Sequence, residues 1–360
     1  VIQYGSIAVG VKKIKKRVLF VLLPVTILVL GLFVLYSPLI ENPNPHNQQP
    51  SLSVNEDPPV TVTSTEPEAA TEPVSAFGTL AFEHLRALEI IGPRVAGTTQ
   101  EQQAADYISS VFKEIGYAPS TQQFPAWDED GVSYQSVNII ATKAGNSTVE
   151  IIVGAHYDSV DVGRGVDDNA SGVGVMLEVA ELVFSLETPY TIRFIAFGSE
   201  ENDLDGSYYF VDQLSPAELK NIIAMVNLDS LVAGDVAYVY SDEGPNAFLR
   251  DWVLDWSAEY NFPLKTIRNV DLSDDGWPTA DYGPFQEEGI AFAYFEATNW
   301  ALGDRDGYTQ VDPNYGEDGH IWHTKYDNSN YLEKTFPGRI SMRLADFSAA
   351  LYDICTELTR

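Results

Sequence analysis

Five short runs of apolar, largely β-branched residues set the architecture of this chain: SVNIIAT (136–142), EIIVGA (150–155), YTIRFIAF (190–197), IIAMVNLD (222–229) and GIAFAYF (289–295). Runs this short and this apolar suit strands covered on both faces. Between them lie stretches of helical period. In QEQQAADYISSVFKEIGY (100–117), Ala105, Ile108, Phe112 and Ile115 share one face and Gly116 marks a stop. SGVGVMLEVAELVFSL (171–186), PNAFLRDWVLDWSAEY (245–260) and GRISMRLADFSAALYDICTEL (338–358) read as further helices. This alternation predicts an α/β three-layer sandwich with a central, largely parallel mixed β-sheet flanked by helices. Sites in such sheets lie beyond the carboxyl ends of the strands.

The polar residues collect at those ends. EIIVGA runs into His156-Tyr157-Asp158, YTIRFIAF into Glu200-Glu201, and IIAMVNLD ends in Asp229. GVDDNASGVG (165–174) offers Asp167, Asp168 and Asn169 ahead of a helix, and IWHTKYDN (321–328) supplies His323. Five separate segments thus deliver His, Asp or Glu to one sheet edge. With 52 acidic residues against 21 basic ones, a single acidic cluster would be background. Five converging segments are not.

Carboxylates crowded without Lys or Arg repel one another unless cations sit among them. Two His with three or more carboxylates form a donor set for zinc, cobalt or manganese. Five donors exceed what one tetrahedral zinc needs, and suit two metals about 3.5–4 Å apart sharing a carboxylate. Glu200 and Glu201 point in opposite directions if that segment is extended. One can then bind metal while the other faces the reacting water, and Asp203 and Asp205 are read as ordinary acids.

As an ordered set, GAHYDSV (154–160), GVDDNASG (165–172), SEENDLDGS (199–207), VNLDS (226–230) and HTKYDN (323–328) resemble the zinc exopeptidase family that contains bacterial leucyl aminopeptidases and glutaminyl cyclases. The resemblance covers most of 77–360. It implies two Zn²⁺ ions, with Co²⁺ or Mn²⁺ as substitutes, Asp168 bridging them, His156 and Asp229 completing one site, and Glu201 and His323 the other. It implies Glu200 as general base toward a metal-bridged water, Asp158 as the residue orienting His156, and a cis peptide at Asp168–Asn169. GPRVAGTTQEQQAADYI (92–108) resembles a segment on the family's substrate side. Two departures stand out. Many relatives carry Ser-Asp-His where this chain has Ala280-Asp281-Tyr282, and Trp277 lies near the place where some aminopeptidases use a tyrosine against the oxyanion. Asp167 is expected to be structural, His320 to belong to a surface loop, His84 and His46 to be incidental, and Cys355 to be core.

The expected activity is that of a two-metal zinc exopeptidase acting on a peptide substrate, an aminopeptidase above all. The alternatives are a carboxypeptidase or dipeptidase, a glutaminyl cyclase of the same fold, and a non-enzymatic ectodomain. A carboxypeptidase would need a cation for the substrate carboxylate, for which Arg164, Arg305 and Lys325 are candidates. A formal charge of −31 argues against nucleic acid as a partner. The basic cluster KKIKKR (12–17) precedes nineteen uncharged residues, 18–36. That pattern predicts residues 1–40 to be a short basic N-terminus with a membrane anchor, its charged end in the cytoplasm and everything beyond it extracytoplasmic. Residues 41–76, with seven prolines and no Lys or Arg, read as a disordered linker to a catalytic domain at 77–360. The oligomeric state has no signature in the sequence.

Overall fold

In a computed structural model, residues 77–128, 131–274 and 277–359 are described. The anchor expected within 1–40 and the linker expected at 41–76 lie outside them. Among the described residues, no helix is long and apolar enough to cross a membrane.

In chain order, α1 (Thr79–Ile91) and α2 (Thr99–Ile115) lead into β1 (Ser120–Trp127), β2 (Ser133–Lys143) and β3 (Ser147–His156). Then come α3 (Gly172–Val183), β4 (Tyr190–Phe197), α4 (Asp205–Asp212), α5 (Pro216–Asn221), β5 (Ile222–Leu228), β6 (Val236–Tyr240) and α6 (Phe248–Tyr260). A two-residue pair, β7 (Ser273–Asp274) and β8 (Trp277–Pro278), precedes α7 (Gly283–Glu287), β9 (Ala291–Thr298), α8 (Ser329–Thr335) and α9 (Arg339–Glu357).

Seven strands form one sheet in the order β1-β2-β4-β3-β5-β9-β6. The inner pairs β4·β3, β3·β5 and β5·β9 are parallel. The pairs β1·β2, β2·β4 and β6·β9 are antiparallel. The segment 136–142 is therefore a strand as expected, but it runs against its neighbours. A short connection from β2 to β3 reverses the chain, whereas a parallel step needs a crossover.

Side chains alternate across the sheet. Ile151, Val153 and Ala155 of β3 join Phe194, Val226 and Phe295 in the larger core, beneath α1, α2, α3, α6 and α9. Ile152 joins Ile195, Phe197, Met225 and Phe292 in the smaller core on the other face. Each of the Ile, Val, Phe and Met side chains among these contributes about 1.5–3 kcal/mol. Gly154 faces the smaller core, where a Cβ would come within 2.5 Å of the Phe197 ring. α2 begins with the Thr98 side chain accepting from the Glu101 N–H and ends at Gly116 with φ +117°.

The chain adds β4 on one side of β3 and then β5 on the other. The direction of winding thus reverses between β3 and β5, and a crevice opens beyond their carboxyl ends.

Candidate metal centre

Four of the expected residues leave the sheet at that crevice. His156 is the last residue of β3, Glu200 and Glu201 follow β4, and Asp229 follows β5. Asp168 comes from a tight turn over Val166–Ser171, and the Asp168–Asn169 peptide is cis. His323 sits before α8 with φ +53°, in the left-handed region. Asp327, four residues on, holds the turn that carries Asp168. Its Oδ1 accepts from the N–H groups of Val166 (2.9 Å) and Asp167 (2.7 Å), and its Oδ2 from that of Asp168 (3.2 Å). The segment that carries His323 thereby also supplies the carboxylate that holds the turn of Asp168.

The donor atoms converge. His156 Nε2 lies 3.1 Å from Asp168 Oδ1 and 3.4 Å from Asp229 Oδ1. His323 Nε2 lies 3.1 Å from Asp168 Oδ2 and 2.9 Å from Glu201 Oε2. Single donor atoms of His156, Asp168 and Glu201 fall within 4.8 Å of one another, and so do those of His156, Glu200 and Asp229. Glu200 stands back, with Oε2 3.8 Å from His156 Nε2. All but His323 and Glu201 are buried.

Taken as protein groups alone, this arrangement is costly. Burial pushes the Glu201 carboxyl up to about 7, with Asp168 adding to the rise. Burial also raises Glu200 well above the usual range, and Asp229, Asp281 and Glu201 add to it. His323 is opposed by burial but driven to about 11 by its bonds to Asp168 and Glu201. Buried Oε1 of Glu201 has no hydrogen-bond donor. Clustered carboxylates and imidazoles of this kind fit divalent cations, which supply the missing charge.

Asp158 is fully buried, but its position relative to His156 differs from expectation. Its Oδ1 lies 3.6 Å from His156 Nδ1, longer than a hydrogen bond. Its oxygens instead accept from the backbone N–H groups of Glu200 (3.1 Å) and Glu201 (3.2 Å). The segment at 92–108 also contributes Arg94. Arg94 is fully buried, donating to the carbonyls of Tyr157 (2.6 Å), Arg164 (2.9 Å) and Gly165 (2.8 Å). It ties the end of β3 to the turn that carries Asp168. Gly165, with φ +58°, leaves room for this, since a Cβ there would meet Arg94 Nη2 at 2.6 Å.

Asp167 is structural: its carboxylate accepts from the N–H groups of Val232 and Ala233 and from Gln310 Nε2. Asp203 is exposed, and Asp205 opens α4. His320 bonds the Glu317 carbonyl through Nδ1, apart from the centre. His84 packs against Tyr107. Cys355 is buried in the larger core. Tyr282 stacks on Phe292 at 4.4 Å and donates to the Leu272 carbonyl. The side chain of Trp277 lies outside the description.

A cavity of about 350 Å³ opens beside the centre, lined by Asp168, Glu200, Glu201, Asp229 and His323. Its farther wall holds residues that the sequence reading missed: Glu296, Trp300, Tyr308 and Trp322, with Asp271 and Asp306 at exposed positions. Glu296 lies on β9, where burial pushes its carboxyl up to about 8. Asp281 was noted only as a departure, yet it is buried near the centre. Burial pushes it up to about 7, against the pull of His156. An acid in a strand otherwise as apolar as AFAYFEAT was the one available signal for Glu296.

Residues 138–348 match peptidase family M28. The "Alkaline phosphatase isozyme conversion protein" of Escherichia coli is 32% identical over 301 residues, which cover 74% of this chain and 86% of that protein. "Aminopeptidase YwaD" of Bacillus subtilis is 29% identical over 272 residues, covering 73% of this chain but 54% of that protein. The chain thus spans about half of the Bacillus enzyme's length. Among solved structures, a zinc aminopeptidase from Bacillus subtilis superposes with a TM-score of 0.63 at 20% identity, covering 79% of this chain and 97% of the other. That likeness is one of fold.

Proposed function

The chain belongs to peptidase family M28 and is a metal-dependent hydrolase of peptides; from that premise we propose that it is an aminopeptidase working with two zinc ions. The observation that carries this reading is the division of Asp168 between two histidines, one on each carboxylate oxygen. His156, Asp168 and Asp229 would hold one ion, and Asp168, Glu201 and His323 the other. Zinc held by these residues would supply a more acidic bound water and a Lewis acid for the scissile carbonyl.

The chain's own groups do the rest. Glu200, next to the ligands but set back from them, takes a proton from the attacking water and returns it to the leaving amine. Asp158, through the two backbone N–H groups, fixes where Glu200 and Glu201 begin. The crevice offers carboxylates to a free α-ammonium group. Among the described residues, its lining includes no Lys or Arg that would take a C-terminal carboxylate. Arg164 and Lys325 line a separate cleft, and Arg305 is exposed in the loop after β9. This favours an aminopeptidase over a carboxypeptidase.

The test is a single peptide offered free, N-acetylated or C-amidated, alongside elemental analysis of the purified full chain. Cleavage of the free and amidated forms and two zinc ions per chain are expected. Cleavage of the N-acetylated form would sink the aminopeptidase reading, and one ion per chain would sink the two-metal one.

We also propose that residues 1–40 anchor the chain in a membrane and that 41–76 tether the catalytic domain, 77–360, on the extracytoplasmic side. The uncharged stretch at 18–36 behind KKIKKR supports this. Recovery of the full chain in the soluble fraction after cell lysis would refute it.

A further inference from the structure

Between β9 and α8 the chain runs through residues 299–328 without a helix or a sheet strand, and His323 lies near the end of that loop. The His323 side chain is 54% exposed, against 1% for His156. Packing therefore does little to hold the ring, and its place depends on where the backbone is anchored.

Gln310, in the same loop, is fully buried. A buried amide needs partners for both its ends. Its Oε1 accepts from the N–H groups of Ile321 and Trp322, both at 2.9 Å, and Trp322 directly precedes His323. Two N–H groups require an oxygen at that end, which leaves the amide nitrogen for Asp167. Nε2 donates to Asp167 Oδ2 at 2.6 Å. Asp167 directly precedes Asp168, and its Oδ1 accepts from the N–H groups of Val232 and Ala233, a few residues beyond Asp229. One run of hydrogen bonds thus passes from the segment after Asp229, through Asp167, to the residue before His323.

The Gln310 backbone is held as well. Its N–H donates to the Gly319 carbonyl at 3.0 Å, and its carbonyl accepts from the Asp235 N–H at 2.9 Å. Asp327, beyond His323, binds the Asp168 turn directly. The loop is therefore tied to that turn both before and after the histidine. His156 and Asp229 need no such tie, because they lie at the ends of β3 and β5, which pair with each other.

We propose that Gln310 is a positioning residue for the second ion, the one assigned to Asp168, Glu201 and His323. It acts by setting the His323 backbone against the turn that carries Asp168. The inference rests on the two-metal reading and goes beyond it by naming the group that completes one of the two sites.

The test strips the full chain of metal and titrates it with zinc against a chromophoric chelator. Gln310→Met removes both ends of the amide at similar volume. It should weaken one of the two ions by about 10–100-fold and leave the other within about threefold. In a His323→Ala background the same substitution should have no further effect on the remaining ion. Asp167→Asn sets two amide groups against each other and should weaken the same ion. Asp167→Asn combined with Gln310→Glu restores a donor facing an acceptor at unchanged net charge, and should recover most of the affinity. This pair decides the matter if Gln310→Met fails to fold. Both ions weakened alike, or neither, would overturn the proposal, since a purely structural amide would not choose between them. So would a double variant no tighter than Asp167→Asn alone. A single ion in the wild type would strike the two-metal reading, and this proposal with it, before any variant is compared.

Discussion

Asp158 reaches Glu200 through the backbone: its Oδ1 accepts the Glu200 N–H at 3.1 Å, while its Oδ2 takes the neighbouring N–H of Glu201. The end of β3 thereby sets the position of the acids that follow β4. Asp158→Asn keeps only one acceptor oxygen and turns an amide donor toward one of those N–H groups. Zinc affinity or kcat should fall by about 10–100-fold with the fold retained. Competition with a chromophoric chelator and steady-state kinetics measure the two; wild-type values in both would remove the role assigned to Asp158.

Glu200→Gln removes the proton carrier and leaves the five proposed ligands in place. Zinc content should stay at the wild-type level while kcat falls by about 10²–10⁴. If zinc leaves together with activity, Glu200 is a ligand and the assignment is wrong.

Chelation should remove activity and stability together, because Asp168 and Glu201, and likewise Glu200 and Asp229, are left crowded around His156. Binding at a thousandfold excess over Kd contributes about 4 kcal/mol to stability. Stripped protein should therefore melt several degrees lower in calorimetry and recover both properties on adding zinc. An unchanged melting temperature would contradict the electrostatic argument.

Arg94 is buried among carbonyl acceptors. Arg94→Ala leaves those carbonyls without donors and should cost about 3 kcal/mol or more. Arg94→Lys should not restore it, since one ammonium cannot serve a fork of acceptors. Urea midpoints of the zinc-loaded proteins decide it, and a loss below 1 kcal/mol would be too small for this role.

His84 carries a pH dependence away from the metal centre. Burial lowers its pKa from 6.5 to about 4, with one ring nitrogen bonded to Tyr107 at 2.8 Å. The folded state therefore refuses a proton that the unfolded chain accepts. Stability from this group is complete above pH 6.5 and is lost as the pH falls toward 4. His84→Gln removes that slope, so the wild type should lose about 2 kcal/mol more than the variant between pH 7.5 and pH 5. Parallel urea melts at the two pH values check this; identical losses would mean that His84 accepts its proton freely in the fold.

The sequence by itself determined the chemistry and the class of fold. Short apolar runs alternating with helical periods require a sheet with helices on both faces, and the residue types at the run ends specify a divalent-metal donor set. Both properties are local, written in periods of two and 3.6 residues and in side-chain chemistry. β6 escaped the reading because VAYVY is only five residues long, and the reversed direction of β2 depends on its short connection to β3. What the sequence could not decide were the relations between distant segments. Asp158 clamps two backbone N–H groups beside His156, Arg94 braces the end of β3 against the turn of Asp168, and Glu296 lines the cavity wall. Each depends on which strands the crossovers make neighbours, and that follows from packing the whole sheet at once.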